Sequence, residues 1–360
     1  MINLEQLLKS CIAHEASDLH IVVGSEVRIR KNGVLQILDT PVIDNKTIKN
    51  ICIPLLNETQ QNILQNKFEV DLALSFDGIG RFRLNLYQSL GNLSATFRVI
   101  PYKIPNLESL FLPQTVELLL KKRQGLILVT GSTGSGKSTT LAAMIDYINT
   151  NYAYHIITIE DPVEFIHSHK KSLISHRDLF KDTSNYQQAI KMALRQDPDV
   201  ILIGELRDKE TIQSALIAAQ TGHLVLATLH TQSADLAIQR VIQSFDVDQQ
   251  PFIANQLASI LEGVISQNLI NTTDNKRIGV YELLVAHDGI KNLIRKEEYH
   301  QIYAQMEVGG KEYGMQTQTK SLIKLIEKKR ITKEEALKIA IKHKEFQRML
   351  KEKMIQSPHF

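Results

Sequence analysis

Leu4, Leu7, Leu8 and Ile12 fall on one face of a 3.6-residue period, so the chain is predicted to open with an amphipathic helix over residues 3–14. Alternation with a period of two then takes over. Residues 20–23, 27–30 and 34–38 read as strands, with Lys31-Asn32-Gly33 supplying a hairpin turn. Residues 59–66 have a helical pattern, after which 70–76, 80–87 and 93–99 alternate again as a meander. Residues 1–100 are therefore expected to form a small α+β domain. Pro101 and Pro105, four apart, fit neither a helix nor a central strand, and they mark residues 101–112 as a linker.

Beyond the linker the pattern changes. Residues 125–130 are a short continuous apolar run, the mark of a strand buried on both faces. Similar runs at 155–160, 200–204 and 224–230 are separated by helical stretches. That order predicts an α/β fold, a doubly wound domain on a parallel sheet over residues 113–285. Residues 286–360 read as a helical region ending in a highly charged helix. There is no internal repeat and no low-complexity segment.

Composition narrows the picture. At 360 residues and 43% hydrophobic, the chain can bury two ordinary cores. Its 42 basic and 39 acidic residues nearly cancel, so nothing global calls for a polyanionic partner. The basic excess is local: residues 321–360 hold eleven Lys/Arg against five Asp/Glu. With no Trp as well, a nucleic-acid translocase, whose channel needs basic and aromatic residues, is disfavoured. Cys11 and Cys52 are too few for a disulfide framework or a four-cysteine zinc site, which fits a reducing cytosol. The start shows no signal-peptide pattern, and no apolar run approaches the roughly 18 residues that span a bilayer. Any membrane role is expected to be by docking.

The chemistry starts at Gly131-Ser132-Thr133-Gly134-Ser135-Gly136-Lys137-Ser138, which meets G-x-x-x-x-G-K-[ST] at every fixed position and runs into Thr139 and a helical stretch. Glycines let backbone N–H groups point inward at phosphate oxygens, and the following helix adds its N-terminal dipole. Lys137 is expected to neutralise the β- and γ-phosphates of ATP, and Ser138 to offer its hydroxyl to Mg²⁺. Three later strands end in suitable partners. The first leads into Glu160, Asp161 and Glu164, the second into Glu205, Arg207 and Asp208, and the third into His230. Ligands of open α/β sheets gather beyond the carboxyl ends of strands, so all three clusters are expected at the crevice of the phosphate loop.

Together these elements resemble the secretion ATPase superfamily and, within it, the type IV pilus retraction ATPase branch, over nearly the whole chain. Ala16-Ser17-Asp18-Leu19-His20-Ile21 is similar to the opening signature of that family's PAS-like N-terminal domain. Residues 131–139 resemble its Walker A, 158–164 its Asp box, 203–208 its atypical Walker B and 221–231 its His box. Ser132 stands where the family usually has Pro. Extension ATPases carry a C-terminal four-cysteine zinc element, and no cysteine follows Cys52 here. Residues 289–296 resemble the retraction motif AIRNLIRE, departing at Gly289, Lys291 and Lys296.

The resemblance implies a RecA-like P-loop ATPase core that uses ATP and Mg²⁺. Glu205 and Glu164 are implied to orient water and complete the Mg²⁺ shell, in an order left open, with Glu160 and Asp161 beside them. His230 is implied to sense the γ-phosphate. Arg81, Arg83 and Arg98 are expected to reach a neighbouring subunit's nucleotide; strand alternation puts Arg81 and Arg83 on one face. The implied assembly is a six-subunit ring in the cytoplasm, docked peripherally on an inner-membrane platform protein at the pilus base, with no nucleic-acid partner. Swinging of the first domain about residues 101–105 would transmit the work. Alternatives are an extension ATPase, a type II or type IV secretion ATPase, and a non-catalytic accessory subunit.

Overall fold

The computed structural model describes residues 2–31, 33–100, 103–274 and 276–356. Asn32 of the expected turn and Pro101 and Tyr102 of the expected hinge lie outside the described residues. The chain divides into two compact units. The first takes the residues up to Ile104 together with Asp161–Ile166 and Asp178–Asp182; the second takes Pro105–Glu160, His167–Arg177 and the chain from Thr183 onward.

The first unit contains α1 (Leu4–Ala13), β1 (Asp18–Val22), β2 (Arg28–Lys31), β3 (Val34–Ile37), α2 (Asn45–Cys52), α3 (Glu58–Lys67), β4 (Glu69–Phe76), β5 (Gly80–Ser89) and β6 (Asn92–Ile100). The strands form one antiparallel sheet in the order β3-β2-β1-β6-β5-β4. Its inward residues, among them Leu19, Ile21, Phe82, Leu84 and Phe97, pack against Leu8 and Cys11 of α1 and Ile48 and Cys52 of α2. Local chemistry starts the helices. Asn57 and Gln60 form a reciprocal capping box at α3, and Asp44 caps α2. Burial pushes the Cys52 thiol up to about 12; burial and then the nearby Asp18 push Cys11 up to about 11. Both behave as small core hydrophobes.

The second unit contains α4 (Thr115–Leu120), β7 (Gly125–Thr130), α5 (Lys137–Asn151), β8 (His155–Glu160), β9 (Leu173–Asp178, whose last residue belongs to the first unit), α6 (Tyr186–Ala193), β10 (Val200–Ile203), α7 (Lys209–Gln220), β11 (Leu224–Leu229), α8 (Ala234–Gln243), α9 (Gln250–Ile260), β12 (Leu261–Asn271), β13 (Arg277–Val285), α10 (Asp288–Arg295), α11 (Ile302–Val308), α12 (Gln318–Glu327), α13 (Lys333–Ile339) and α14 (His343–Gln356). The sheet order is β13-β12-β7-β11-β10-β8-β9. Strands β12, β7, β11, β10 and β8 run parallel, as expected for an α/β core. Both edges differ from expectation, because β9 at one and the β12–β13 hairpin at the other are not among the expected strands. β13 pairs antiparallel with β12 along nine residue pairs, from Gly263↔Val285 to Asn271↔Arg277. Most of the hairpin is buried on both faces, so its sequence lacks the alternation that marks a hairpin.

The helices that follow build their own cluster on this hairpin. Ile270, Ile278 and Val280 of the strands meet Leu322, Ile326, Ala336 and Phe346. His287 caps α10 by accepting from the Gly289 amide, and its ring stacks on Tyr313 with centroids 4.1 Å apart. An alanine Cβ at 289 would lie 2.7 Å from that ring, which accounts for glycine at the first departure from AIRNLIRE. Among the described residues no helix is long and apolar enough to cross a membrane.

Phe346 is fully buried and is the main anchor of α14. Phe346→Ala is expected to cost about 3–5 kcal/mol locally, read as a lower urea midpoint and faster proteolytic release of the last helix. An unchanged midpoint with unchanged cleavage would show that α14 does not depend on this anchor.

Candidate active site

The phosphate loop leaves the central strand β7 and enters α5 at Lys137. Its backbone needs glycine: φ is +149° at Gly131, +78° at Gly134 and +90° at Gly136. A Cβ on Gly131 would stand 2.3 Å from the Gln267 carbonyl oxygen and 2.6 Å from Ser135 Oγ, so the loop lies directly on β12. Gln267 is buried and donates from Nε2 to the Ser135 carbonyl at 2.6 Å. Ser132, Thr133 and Gly134 form the exposed crest, while Ser138 and Thr139 are half-buried on the first turn of α5. Lys137 is 9% exposed, and its ammonium donates to the carbonyls of Gly131 at 2.8 Å and Ser132 at 3.1 Å.

Neighbouring strands bring the rest. Thr130, at the end of β7, holds the turn after β11: its Oγ1 accepts from the Thr231 amide at 2.8 Å and meets Thr231 Oγ1 at 2.7 Å. This sets His230 with Nδ1 3.4 Å from Lys137 Nζ and Nε2 3.2 Å from Glu205 Oε1. Glu205 follows β10, and its other oxygen receives Arg207 Nε at 2.7 Å. An ammonium has no acceptor, so Nδ1 must accept from Lys137, which leaves Nε2–H to donate to Glu205. A hydrogen-bonded chain thus runs Lys137–His230–Glu205–Arg207. Glu160 ends β8 alongside: the backbone at Gly204 comes so near that a Cβ would lie 3.2 Å from the Glu160 Cα.

The remaining predicted residues belong to the first unit. Arg83 and Arg98 are direct partners across β5 and β6, so Arg81, Arg83 and Arg98 share one sheet face. Arg81 donates to Ser75 Oγ at 2.9 Å and to the Val163 carbonyl at 2.6 Å. Arg83 lies 3.7 Å from Glu164 and 3.5 Å from Asp71, open pairs that contribute little. Arg98 binds Asp18 at 2.8 Å. Burial works against the Asp18 carboxylate, but the hydrogen bonds from Arg98 and Ser17 prevail and hold it below its usual range. Asp161 and Glu164 thus fold with the arginines. Burial pushes Asp178 up to about 6, and its carboxylate accepts from the Val163 amide. Val163 is therefore held from both its amide and its carbonyl.

Among the described residues no three His, Cys, Asp or Glu side chains cluster as a metal cage. Ser138 and Glu205 offer hard oxygens beside the loop, which suits Mg²⁺ arriving on phosphate oxygens, since that ion is seldom held by protein ligands alone.

A family model for type II/IV secretion system proteins matches residues 1–338. The chain belongs to that family. It is 39% identical over 335 residues to the type IV pilus retraction ATPase PilT of Pseudomonas aeruginosa, covering 93% of this chain and 97% of the relative. It is 42% identical over 309 residues to a twitching motility protein of Neisseria gonorrhoeae, covering 86% and 82%. A crystal structure of the pilus retraction motor PilT with bound ADP superposes with a TM-score of 0.89 at 40% identity, covering 97% of this chain and 100% of that one. This secretion-family chain is an ATPase and a close homologue of the retraction ATPase. Around the site of this ATPase, two supporting side chains escape a motif reading: Thr130 at the turn after β11 and Gln267 beneath the phosphate loop. Both sit within strands, and only strand pairing brings them beside the loop or the His230 turn.

Gly131→Ala is expected to weaken binding of a fluorescent ADP analogue by at least about tenfold, since Cβ has no room against β12 and the backbone is in a region alanine avoids. Wild-type affinity in that variant would mean that the loop does not need this close approach.

Proposed function

We propose that this chain is an ATP-hydrolysing motor for type IV pilus retraction, working in the cytoplasm as a six-subunit ring docked on an inner-membrane platform protein. The Lys137–His230–Glu205 chain carries the reading. It joins the group suited to hold phosphate to the group suited to orient water. Near-full-length similarity to a retraction ATPase and to a twitching motility protein supports the biological assignment. Lack of any cysteine after Cys52 separates the chain from zinc-bearing extension ATPases.

Lys137 and the loop amides are the groups that would hold the β- and γ-phosphates, and Ser138 would offer its hydroxyl to Mg²⁺. Bound Mg²⁺ would supply charge neutralisation for the leaving group. Glu205 and Glu164 are the two candidates for orienting the attacking water, and Glu160 and Asp161 are further acidic candidates. His230 is the sensor. When the Lys137 ammonium turns toward phosphate, Nδ1 loses its donor, and the hydrogen bond from Nε2–H to Glu205 changes with it. Arg81, Arg83 and Arg98 present guanidinium groups from one sheet face to the neighbouring subunit's nucleotide, so hydrolysis depends on ring closure through heterologous contacts.

Steady-state ATP hydrolysis against protein concentration tests this. Turnover should rise as the ring assembles, and Lys137→Ala and Glu205→Ala should each lower it by about a hundredfold or more. Arg81→Ala with Arg83→Ala should slow the assembled ring while sparing nucleotide binding by the lone chain. Turnover independent of assembly would sink the shared site, and stimulation by single-stranded DNA would favour a translocase.

A further inference from the structure

Glu282 sits in the middle of β13, is 3% exposed, and has no part in the phosphate chemistry above. Its Oε1 accepts from the amide of Ala234 at 2.8 Å, the first residue of α8. Its carboxylate also accepts from the backbone amide of Gln318, the first residue of α12. One buried carboxylate thereby caps two helices at their positive ends. At α8 the preceding Ser233 gives no cap, because its hydroxyl is turned to Asp235.

Helix α8 leaves directly from the turn that carries His230. Sheet side chains hold that turn at three successive points. Thr130 takes the Thr231 amide, Ser266 Oγ donates to the Gln232 carbonyl at 2.9 Å, and Glu282 takes the Ala234 amide. Ser266 and Glu282 are register partners across the antiparallel hairpin. We propose that Glu282 is a positioning residue for hydrolysis: by capping α8 it sets the His230 ring between Lys137 and Glu205, and by capping α12 it ties that setting to the C-terminal helices. The proposal rests on the reading that these three residues serve ATP hydrolysis.

Burial pushes the Glu282 carboxyl up to about 7, against the two amides that favour its charge. Asp235 on α8 raises it further, and Lys342 ahead of α14 lowers it. Among the described residues Tyr303 of α11 also faces it, and its hydroxyl donates to Glu345 of α14. The folded value lies above the ordinary 4.5, so the folded chain holds an extra proton between those two values. Stability therefore falls as pH rises through that window. Only the ionised form offers two full acceptors, so capping of both helices is complete above neutrality.

The test is ATP turnover of the whole chain from about pH 6 to about pH 8.5, with ADP affinity measured alongside, for wild type, Glu282→Gln, Ser266→Ala and Lys137→Ala. Glutamine keeps the shape and one acceptor but turns NH₂ toward the other helix end. Glu282→Gln should keep KM and ADP affinity within about twofold and lose about tenfold or more in kcat, and the wild-type rise of kcat through neutral pH should vanish. Ser266→Ala, which frees only the Gln232 carbonyl, should lower kcat less and keep the pH rise. Wild-type kcat and pH profile in Glu282→Gln would overturn the proposal. So would equal losses of kcat, ADP affinity and melting temperature, which would make Glu282 a folding residue only. If wild type turns over no faster than Lys137→Ala, the hydrolysis reading itself fails, a result distinct from either.

Discussion

A lysine ammonium buried at the end of a sheet costs several kcal/mol unless it is met by acceptors, and the second unit is organised around meeting that demand. Lys137 has two loop carbonyls and the His230 imidazole within reach. The carbonyls point inward only because the loop curls through glycine conformations, and the curl fits only because Gly131 has no side chain to strike β12. β12 in turn lies beside β7 because its Val264, Ile265 and Ser266 pair with the last residues of that strand. Charge burial, loop shape and strand order are one constraint seen at three scales.

The same constraint links the polar groups of the site to one another. A neutral imidazole that accepts from an ammonium on one nitrogen donates from the other, so His230 links Lys137 to Glu205 by hydrogen bonds. That link depends on where the turn sets the ring. Thr130, Ser266 and Glu282 hold the turn that bears it, and all three come from strands. The first unit has a different balance. Its arginine face is matched by Asp18, Asp71 and Glu164, and the Asp-box segment folds onto it through Val163. Along this segment Glu160 ends a strand of the second unit, and Asp161 and Glu164 belong to the first.

Much of this was legible in the sequence because it is local. The strands of the meander, the buried run at β7 and the glycine spacing of the loop each reflect an interaction between residues close along the chain. Convergence of Glu205 and His230 on the loop followed from a general property of parallel sheets, not from any one residue. The antiparallel hairpin was not legible. Strands buried on both faces show no alternation, and a polar residue such as Gln267 or Glu282 inside an apolar run gives no hint of what it will meet.

By itself, then, the sequence determined the phosphate loop, the order of strands and acids behind it, and the face shared by Arg81 and Arg83, since backbone period and glycine conformation act over a few residues. The tertiary structure decided which nitrogen of His230 carries the proton, which strand supports the loop, and which buried carboxylate caps α8 and α12. Those outcomes depend on pairings between residues far apart in the chain, and their energies exist only once burial has removed the competing water.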